Sequence, residues 1–528
     1  MGLYADDYTI YATNEDINQA ENSVQAAINL LEQWAKQNKM EISTEKTECT
    51  LFTTSTHEAK RKAALSLKGA PITFNSNPTL LGVTLDRTLS SNAHIQNLEL
   101  KLSSRLRPLK ALTGTTWGAS RECIKPIYYA TCRSAIDYCA PAYMPLAKPS
   151  NLQKLERKQN EAARIITGCS KDTRVDSLLI EADILPLRHR ADALTAISFE
   201  KSMRLPTTNQ RKASATKSVP TRTGKSNWRK HAQNLVAETE LDTYPREELV
   251  VLPPTQPWKA ASYNVTFSTD LVADCKRANE PAVRKAAAEA TIRSLPLPDV
   301  EVWTDGSAEH GTEYGGSGIL IKTGDTELDQ RVPAGRYCSN YGAELVALDT
   351  ALDMLVALHT AGSLPNSARI HVYTDSRSAV MRLSYGPTNQ SEKVACSIWQ
   401  HLHTLCQRSA CSIHLQWIPG HAGLAGNEEV DSIAKEATAL TQIDTPIDFS
   451  TAKAVIHRST RAKWKREAKP KLPFAQPPSF QLEASLRRQD RRLLSQMRTV
   501  SLTSSADLSS DASRLIDGVP LMPHVKKN

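Results

Sequence analysis

Between residues 299 and 440 the chain switches repeatedly between strand-like and helix-like hydrophobic periods, and this limits the fold more than any other feature. Residues 300–304, 316–322 and 326–332 read as strands. Residues 343–358 read as a helix with Leu345, Leu348, Leu352 and Leu355 along one face. A strand is expected at 369–374, a short helix at 378–383, a helix at 394–406 and a strand at 412–418. A last helix, 427–439, points Val430, Ile433 and Ala437 inward. That order defines an α/β layer fold. A unit of about 140 residues is large enough to bury its own core and to fold separately.

Carboxylates sit at its turning points. Asp305 follows the first strand in Thr304-Asp305-Gly306-Ser307, and Glu344 opens the long helix. Asp375 ends the fourth strand in Thr374-Asp375-Ser376. Asp431 lies near the start of the last helix, with His421 just ahead of it in Pro419-Gly420-His421-Ala422-Gly423. A single Asp after a strand is more often a turn former or a helix cap, and a lone His in a loop says little. The joint pattern says more, because strand ends and helix starts at one rim of an α/β sheet bring distant residues together. Four clustered carboxylates repel one another unless cations lie between them. Hard oxygen ligands suit Mg2+, which keeps waters and takes phosphate oxygens. Two such ions about 4 Å apart clamp the attacking and leaving oxygens of a phosphodiester.

Four motifs carry a family resemblance. Trp303-Thr-Asp-Gly-Ser307, Gly342-Ala-Glu-Leu345, Tyr373-Thr-Asp-Ser376 and Trp417-Ile-Pro-Gly-His-Ala-Gly-Leu-Ala-Gly-Asn-Glu-Glu-Val-Asp431 resemble type 1 ribonuclease H over a complete domain. The resemblance implies a five-stranded mixed sheet flanked by helices. It implies that Asp305, Glu344, Asp375 and Asp431 bind two Mg2+ ions, with Mn2+ as a substitute. The RNA strand of an RNA–DNA hybrid would be the substrate, selected through its 2′-OH. His421 matches the family's mobile-loop histidine, tied to proton handling and product release. Ser307, Ser339, Asn340 and Ser376 match positions that contact the hybrid. Arg377 departs from the glutamine of well-known bacterial members, so no substrate contact is carried over to it.

The N-terminal half resembles part of a reverse transcriptase. Tyr4-Ala5-Asp6-Asp7 followed by Tyr8-Thr-Ile-Tyr11 looks like the polymerase hairpin. Glu45-Lys46-Thr47 looks like the next palm motif, so Asp6, Asp7 and Lys46 would be polymerase vestiges. Expected strands at 48–53 and 79–85 belong to that region, and Leu80-Leu-Gly-Val-Thr-Leu-Asp86 looks like a primer grip. Residues 96–200 are mostly helical, with Leu98, Leu102, Leu106 and Leu109 in register, and resemble a thumb. A transcriptase followed by ribonuclease H implies a Jockey- or I-like non-LTR (LINE) retrotransposon polyprotein. An earlier metal-binding aspartate and the fingers are missing ahead of the hairpin. The expectation is a truncated palm over 1–95 without polymerase activity, unless the missing palm is supplied. Leu493-Leu-Ser-Gln-Met-Arg-Thr499 resembles the segment before a cysteine zinc knuckle, yet no Cys follows Cys411.

Charge divides the remainder. The chain has 65 Lys+Arg against 56 Asp+Glu, a net of +9. Residues 201–231 hold no Asp or Glu and read as a basic arm. With a proline-bearing connector containing one helix near 282–293, they form a linker over 201–298. Residues 441–528 read as a basic, partly disordered tail, led by Lys463-Trp-Lys-Arg466 and Arg487-Arg-Gln-Asp-Arg-Arg492. Arm and tail are candidate nucleic-acid contacts. Ten scattered cysteines form no CxxC pair, which points to neither a disulfide framework nor a zinc ribbon. Carboxylates at positions 6 and 7 exclude a secretory h-region, and no apolar run spans a bilayer. The expected setting is an intracellular ribonucleoprotein, nuclear or cytoplasmic, with no membrane and no small-molecule cofactor. The competing expectation is an inactive nucleic-acid-binding remnant.

Overall fold

A computed structural model describes residues 2–4, 7–53, 55, 58–114, 117–217, 228–250, 263–276, 279–324, 326–408, 410–468 and 487–499. They fall into two compact units, one of residues 1–195 and 461–528, the other of residues 196–460. Among the described residues no helix is long and apolar enough to cross a membrane. All ten cysteines are free thiols.

The first unit opens on a hairpin, Gly2–Tyr4 with Asp7–Thr9, and the helix Ile17–Gln37. The expected strand at 48–53 is reduced to Glu48–Cys49, paired parallel with Thr73–Phe74. The expected strand at 79–85 is instead a small hairpin, Thr79–Leu80 against Val83–Thr84. Leu81 and Gly82 turn it, with φ of 45° and 80°. Two successive positive-φ residues make the tight turn that suits strand twist, so one apolar run folds back on itself.

Helices build most of this unit. In Asn92–Ala111 the four leucines, spaced by four, four and three residues, are buried, as their helical period requires. They meet Ile124, Tyr128, Leu155, Ile166 and Leu178 from the helices Arg121–Tyr128, Pro149–Thr167 and Val175–Ala182. Part of the basic tail packs into this core. Trp464 and Ala468 join this core, and the helix Arg488–Arg498 buries Leu494. Arg488 donates to the carbonyls of Gly114 (3.1 Å), Ala119 (2.7 Å) and Ile165 (3.0 Å). Part of the basic run is therefore structural glue: its cations satisfy backbone acceptors that burial would leave unpaired. Residues from Ser501 onward lie outside the described residues.

A buried ion pair joins two helices of the unit, and the tail bonds to it through Ser495. Arg121 donates to Glu181 at 2.9 Å, and Ser495 Oγ lies 2.7 Å from each. Breaking a buried pair from one side costs far more than the pair's net worth. Glu181→Ala should therefore lower the unit's stability by about 3 kcal/mol in chemical denaturation. An unchanged midpoint would show that the pair contributes nothing.

In the second unit the strands are β1 (Val265–Ser268), β2 (Val300–Glu309), β3 (Glu313–Thr323), β4 (Thr326–Gly335), β5 (Arg369–Thr374) and β6 (Ser412–Trp417). Its helices include α1 (Pro281–Ser294), α2 (Asn340–Thr360), α3 (Arg377–Ser384), α4 (Lys393–Arg408) and α5 (Ala425–Thr438). The sheet order is β4-β3-β2-β5-β6-β1. β2, β3 and β4 pair antiparallel, and the other pairings are parallel.

The mixed α/β sheet thus has six strands, which corrects the expected five. The sixth, β1, comes from the stretch expected to be connector, and pairs Val265–Ser268 with residues 413–416. Its four residues are too few to show a period, so its pairing on β6 makes it a strand. Leu345, Leu348, Leu352 and Leu355 of α2 pack on Val302, Ile319, Ile370 and Leu415 of the sheet. The basic arm is partly structural as well. Arg204 is buried, held by Glu200 at 3.2 Å, and Glu200 also pairs with Arg246 at 2.8 Å.

Candidate active site

Two features of the sheet place the acidic residues. β2 and β5 run parallel with Thr304 opposite Thr374, so Asp305 and Asp375, each the next residue, stand at one level. β2 does not stop at Thr304: it continues to Glu309 and turns through His310 and Gly311, both with positive φ. Asp305 therefore lies inside a strand rather than after one. The hydrogen-bonded partner β3 carries the ladder past it, a register that the apolar pattern of β2 alone does not reveal.

Glu344 comes from the second turn of α2, beginning at the cap Ser339. Gly306 lets α2 approach, since a Cβ there would lie 2.1 Å from the Glu344 nitrogen. Carboxylate oxygens of Asp305, Glu344 and Asp375 lie within 4.8 Å of one another. Asp431, in the middle of α5, falls in a neighbouring group with His421 and Glu428, again within 4.8 Å. His421 Nδ1 is 3.9 Å from Asp431 Oδ2, and Lys435, one turn on, reaches the same oxygen at 2.6 Å.

Crowding shows in the acidities. Burial, then Asp375 and Asp431, push Asp305 up to about 7, against the pull of the Gly306 N–H and Lys435. Burial, then Asp305 and Asp375, hold Glu344 well above the carboxylate range. Burial also raises Asp375. Burial and like charge both disfavour ionisation, so this centre calls for added positive charge. Lys435, raised chiefly by its bond to Asp431, supplies only part of it.

The surroundings hold these groups in place. Thr374 Oγ1 donates to Glu344 Oε2 at 3.4 Å. Trp417 Nε1 donates to the Asp375 carbonyl at 3.0 Å, and the Arg377 guanidinium lies 5.4 Å from the centre of the Trp417 ring. Gly420 faces Asp375, whose Oδ2 would be 2.1 Å from a Cβ at that position.

The four expected contact residues divide by environment. Ser339 is buried and caps α2, accepting from the Gly342 N–H at 3.0 Å while its own N–H donates to Thr451 at 2.8 Å. Asn340 is exposed, and Ser307 and Ser376 are half-buried. In the first unit, Asp7 is exposed in the hairpin and Lys46 in a turn, whereas Asp6 lies outside the described residues. Sequence reasoning missed Lys435, Glu428 and Arg284. Lys435 was legible as the i+4 partner of Asp431. Arg284 was not, being 137 residues from His421.

The family profile for RNase H matches residues 298–439. A protein named Ribonuclease H from Polaromonas sp. (strain JS666 / ATCC BAA-500) is 26% identical over 147 residues, covering 26% of this chain and 86% of that protein. Another Ribonuclease H, from Nitrobacter hamburgensis, is 26% identical over 162 residues, covering 29% and 99%. Among solved structures, LC11-RNase H1 in complex with RNA/DNA hybrid is 20% identical, covering 26% of this chain and 96% of that one, with a TM-score of 0.22. Prototype Foamy Virus Protease-Reverse Transcriptase is 19% identical, covering 28% and 22%, with a TM-score of 0.22. Residues 298–439, which carry the mixed sheet and the acidic centre, are thus an α/β domain that matches the RNase H family.

Proposed function

We propose that the chain is a Mg2+-dependent endoribonuclease that cuts the RNA strand of RNA–DNA hybrids, within a non-LTR retrotransposon polyprotein. The observation that carries the reading is the convergence of Asp305, Glu344 and Asp375 within 4.8 Å, with Asp431 alongside. The donors fit a hard divalent cation: all are carboxylates, and their mutual repulsion is unmet by the one lysine at hand. When bound there, Mg2+ supplies Lewis-acid stabilisation of the phosphate and lowers the pKa of the attacking water.

The chain's own residues do the rest. β2, β5 and α2 fix three carboxylates on rigid elements, so little reorganisation accompanies reaction. Thr374 orients Glu344. His421, with a side chain 72% exposed beside Asp431, would take the proton-handling and product-release role that the family resemblance implies. By the family resemblance, exposed Asn340 and half-buried Ser307 and Ser376 would contact the hybrid. The 2′-OH gives the means to tell RNA from DNA. Exposed Lys465 and Arg466 offer auxiliary phosphate contacts.

The intact carboxylate set favours this enzyme over a binding remnant. The full chain should cut a labelled RNA–DNA hybrid in Mg2+, stop in EDTA and recover on adding Mg2+. Cleavage persisting in EDTA would refute metal dependence.

A further inference from the structure

The residues matched by the ribonuclease H profile begin at 298, yet the histidine loop is gripped from outside that span. Arg284, on α1, donates through Nη1 to the Gly420 carbonyl at 2.9 Å and through Nη2 to the His421 carbonyl at 3.3 Å. One guanidinium thus spans two successive carbonyls, using the planar fork that a lysine lacks.

The helix that carries it is firmly seated. Ala288 is buried with Trp303, Leu320, Tyr373, Ile418, Leu424 and Val430, and Ile292 and Leu295 pack against the same cluster. The Val272 N–H donates to Thr291 Oγ1 at 3.0 Å, and Gln416 Nε2 donates to the Asp270 carbonyl at 3.0 Å. The first bond holds residue 272 to α1 and the second holds residue 270 to β6.

The loop has need of such a grip. His421 has φ of 49°, a left-handed conformation that L-residues rarely hold unaided. Its side chain is 72% exposed, so packing does not fix it and the loop backbone must. On the far side, Glu428 accepts from the Gly423 N–H at 3.0 Å. The loop is therefore pinned at both ends, by Glu428 from within the matched span and by Arg284 from outside it.

We propose that Arg284 is a positioning residue for His421, and that β1 (Val265–Ser268) and α1 (Pro281–Ser294) are a working part of the nuclease. The catalytic half of this inference rests on the proposed hybrid cleavage; the mechanical half stands apart from it. The test compares the full-length wild type with Arg284→Ala, Arg284→Lys, His421→Ala and the Arg284→Ala/His421→Ala double variant.

Hydrogen exchange of the amides at 420–424 should speed up roughly tenfold in Arg284→Ala, while exchange in β2, β5 and β6 stays as in the wild type. Unchanged loop exchange would overturn the proposal, whether or not the chain cleaves anything. In steady-state hybrid cleavage, kcat should fall about tenfold with KM within about twofold, and Arg284→Lys should recover part of it. In the His421→Ala background Arg284→Ala should cost less than about twofold, because residues acting through one another are not additive. An equal loss in both backgrounds would overturn it, marking a merely structural role. A wild type that cuts no hybrid, with loop exchange responding as stated, would refute the proposed function and leave the clamp standing.

Discussion

Asp305→Asn should abolish hybrid cleavage, by about 10³-fold or more, and yet make the metal-free protein more stable. The two effects share one cause. Asp305 is buried beside Asp375 and Asp431, and its carboxyl titrates near 7 in the fold, against about 4 in an unfolded chain. A raised carboxylate pKa contributes stability that is complete below about pH 4. That stability is lost as pH rises to about 7, because the folded state must then carry a charge that its surroundings resist. At pH 8 in EDTA the ionised group should oppose folding by on the order of 2–4 kcal/mol. Asn carries no charge at any pH, so the variant should melt about 5–10 °C higher under those conditions. Mg2+ should raise the wild type's melting temperature more than the variant's, since only the wild type keeps the full ligand set. A variant melting below the wild type at pH 8 in EDTA would contradict this reading of the site's electrostatics.

Gly306→Ala should be among the most damaging single substitutions in the domain. The new Cβ would stand 2.1 Å from the Glu344 nitrogen and 2.5 Å from the Ala343 carbonyl carbon. Both are helix backbone, so no side-chain rotation relieves the clash. α2 must lift off β2, carrying Glu344 away from Asp305 and Asp375 and opening the layer filled by Leu345 and Leu348. Overpacking against backbone should cost about 3 kcal/mol, read as a lower denaturation midpoint of the unit, with cleavage lost alongside. A midpoint within about 0.5 kcal/mol of the wild type would mean that α2 has slack the structure does not show.

How much of this was legible in the sequence depends on how locally each feature is encoded. The α2 leucines and the inward residues of α5 were readable because a helix writes its buried face at a fixed period. Asp305, Glu344, Asp375 and Asp431 were readable as a set because each sits in a compact motif. The end of β2 was not, since a hairpin partner extends that strand through polar residues. β1 was not, because four residues carry no period and only its pairing on β6 defines it. The tail's arginines read as candidate phosphate contacts because they are charged, yet Arg488 binds three carbonyls contributed by residues more than 300 positions earlier. Arg284 was illegible for the same reason: its partners are backbone carbonyls, which leave no mark on composition or spacing.

The most direct measurement is cleavage of an RNA–DNA hybrid labelled on both strands, by the full chain in Mg2+, beside Asp375→Asn. The expected result is an RNA strand cut at internal positions, an intact DNA strand, and no cutting by the variant. Persistence of both strands, cutting of the DNA, or an equal rate for the variant would contradict the assignment of this acidic centre to RNA-strand hydrolysis.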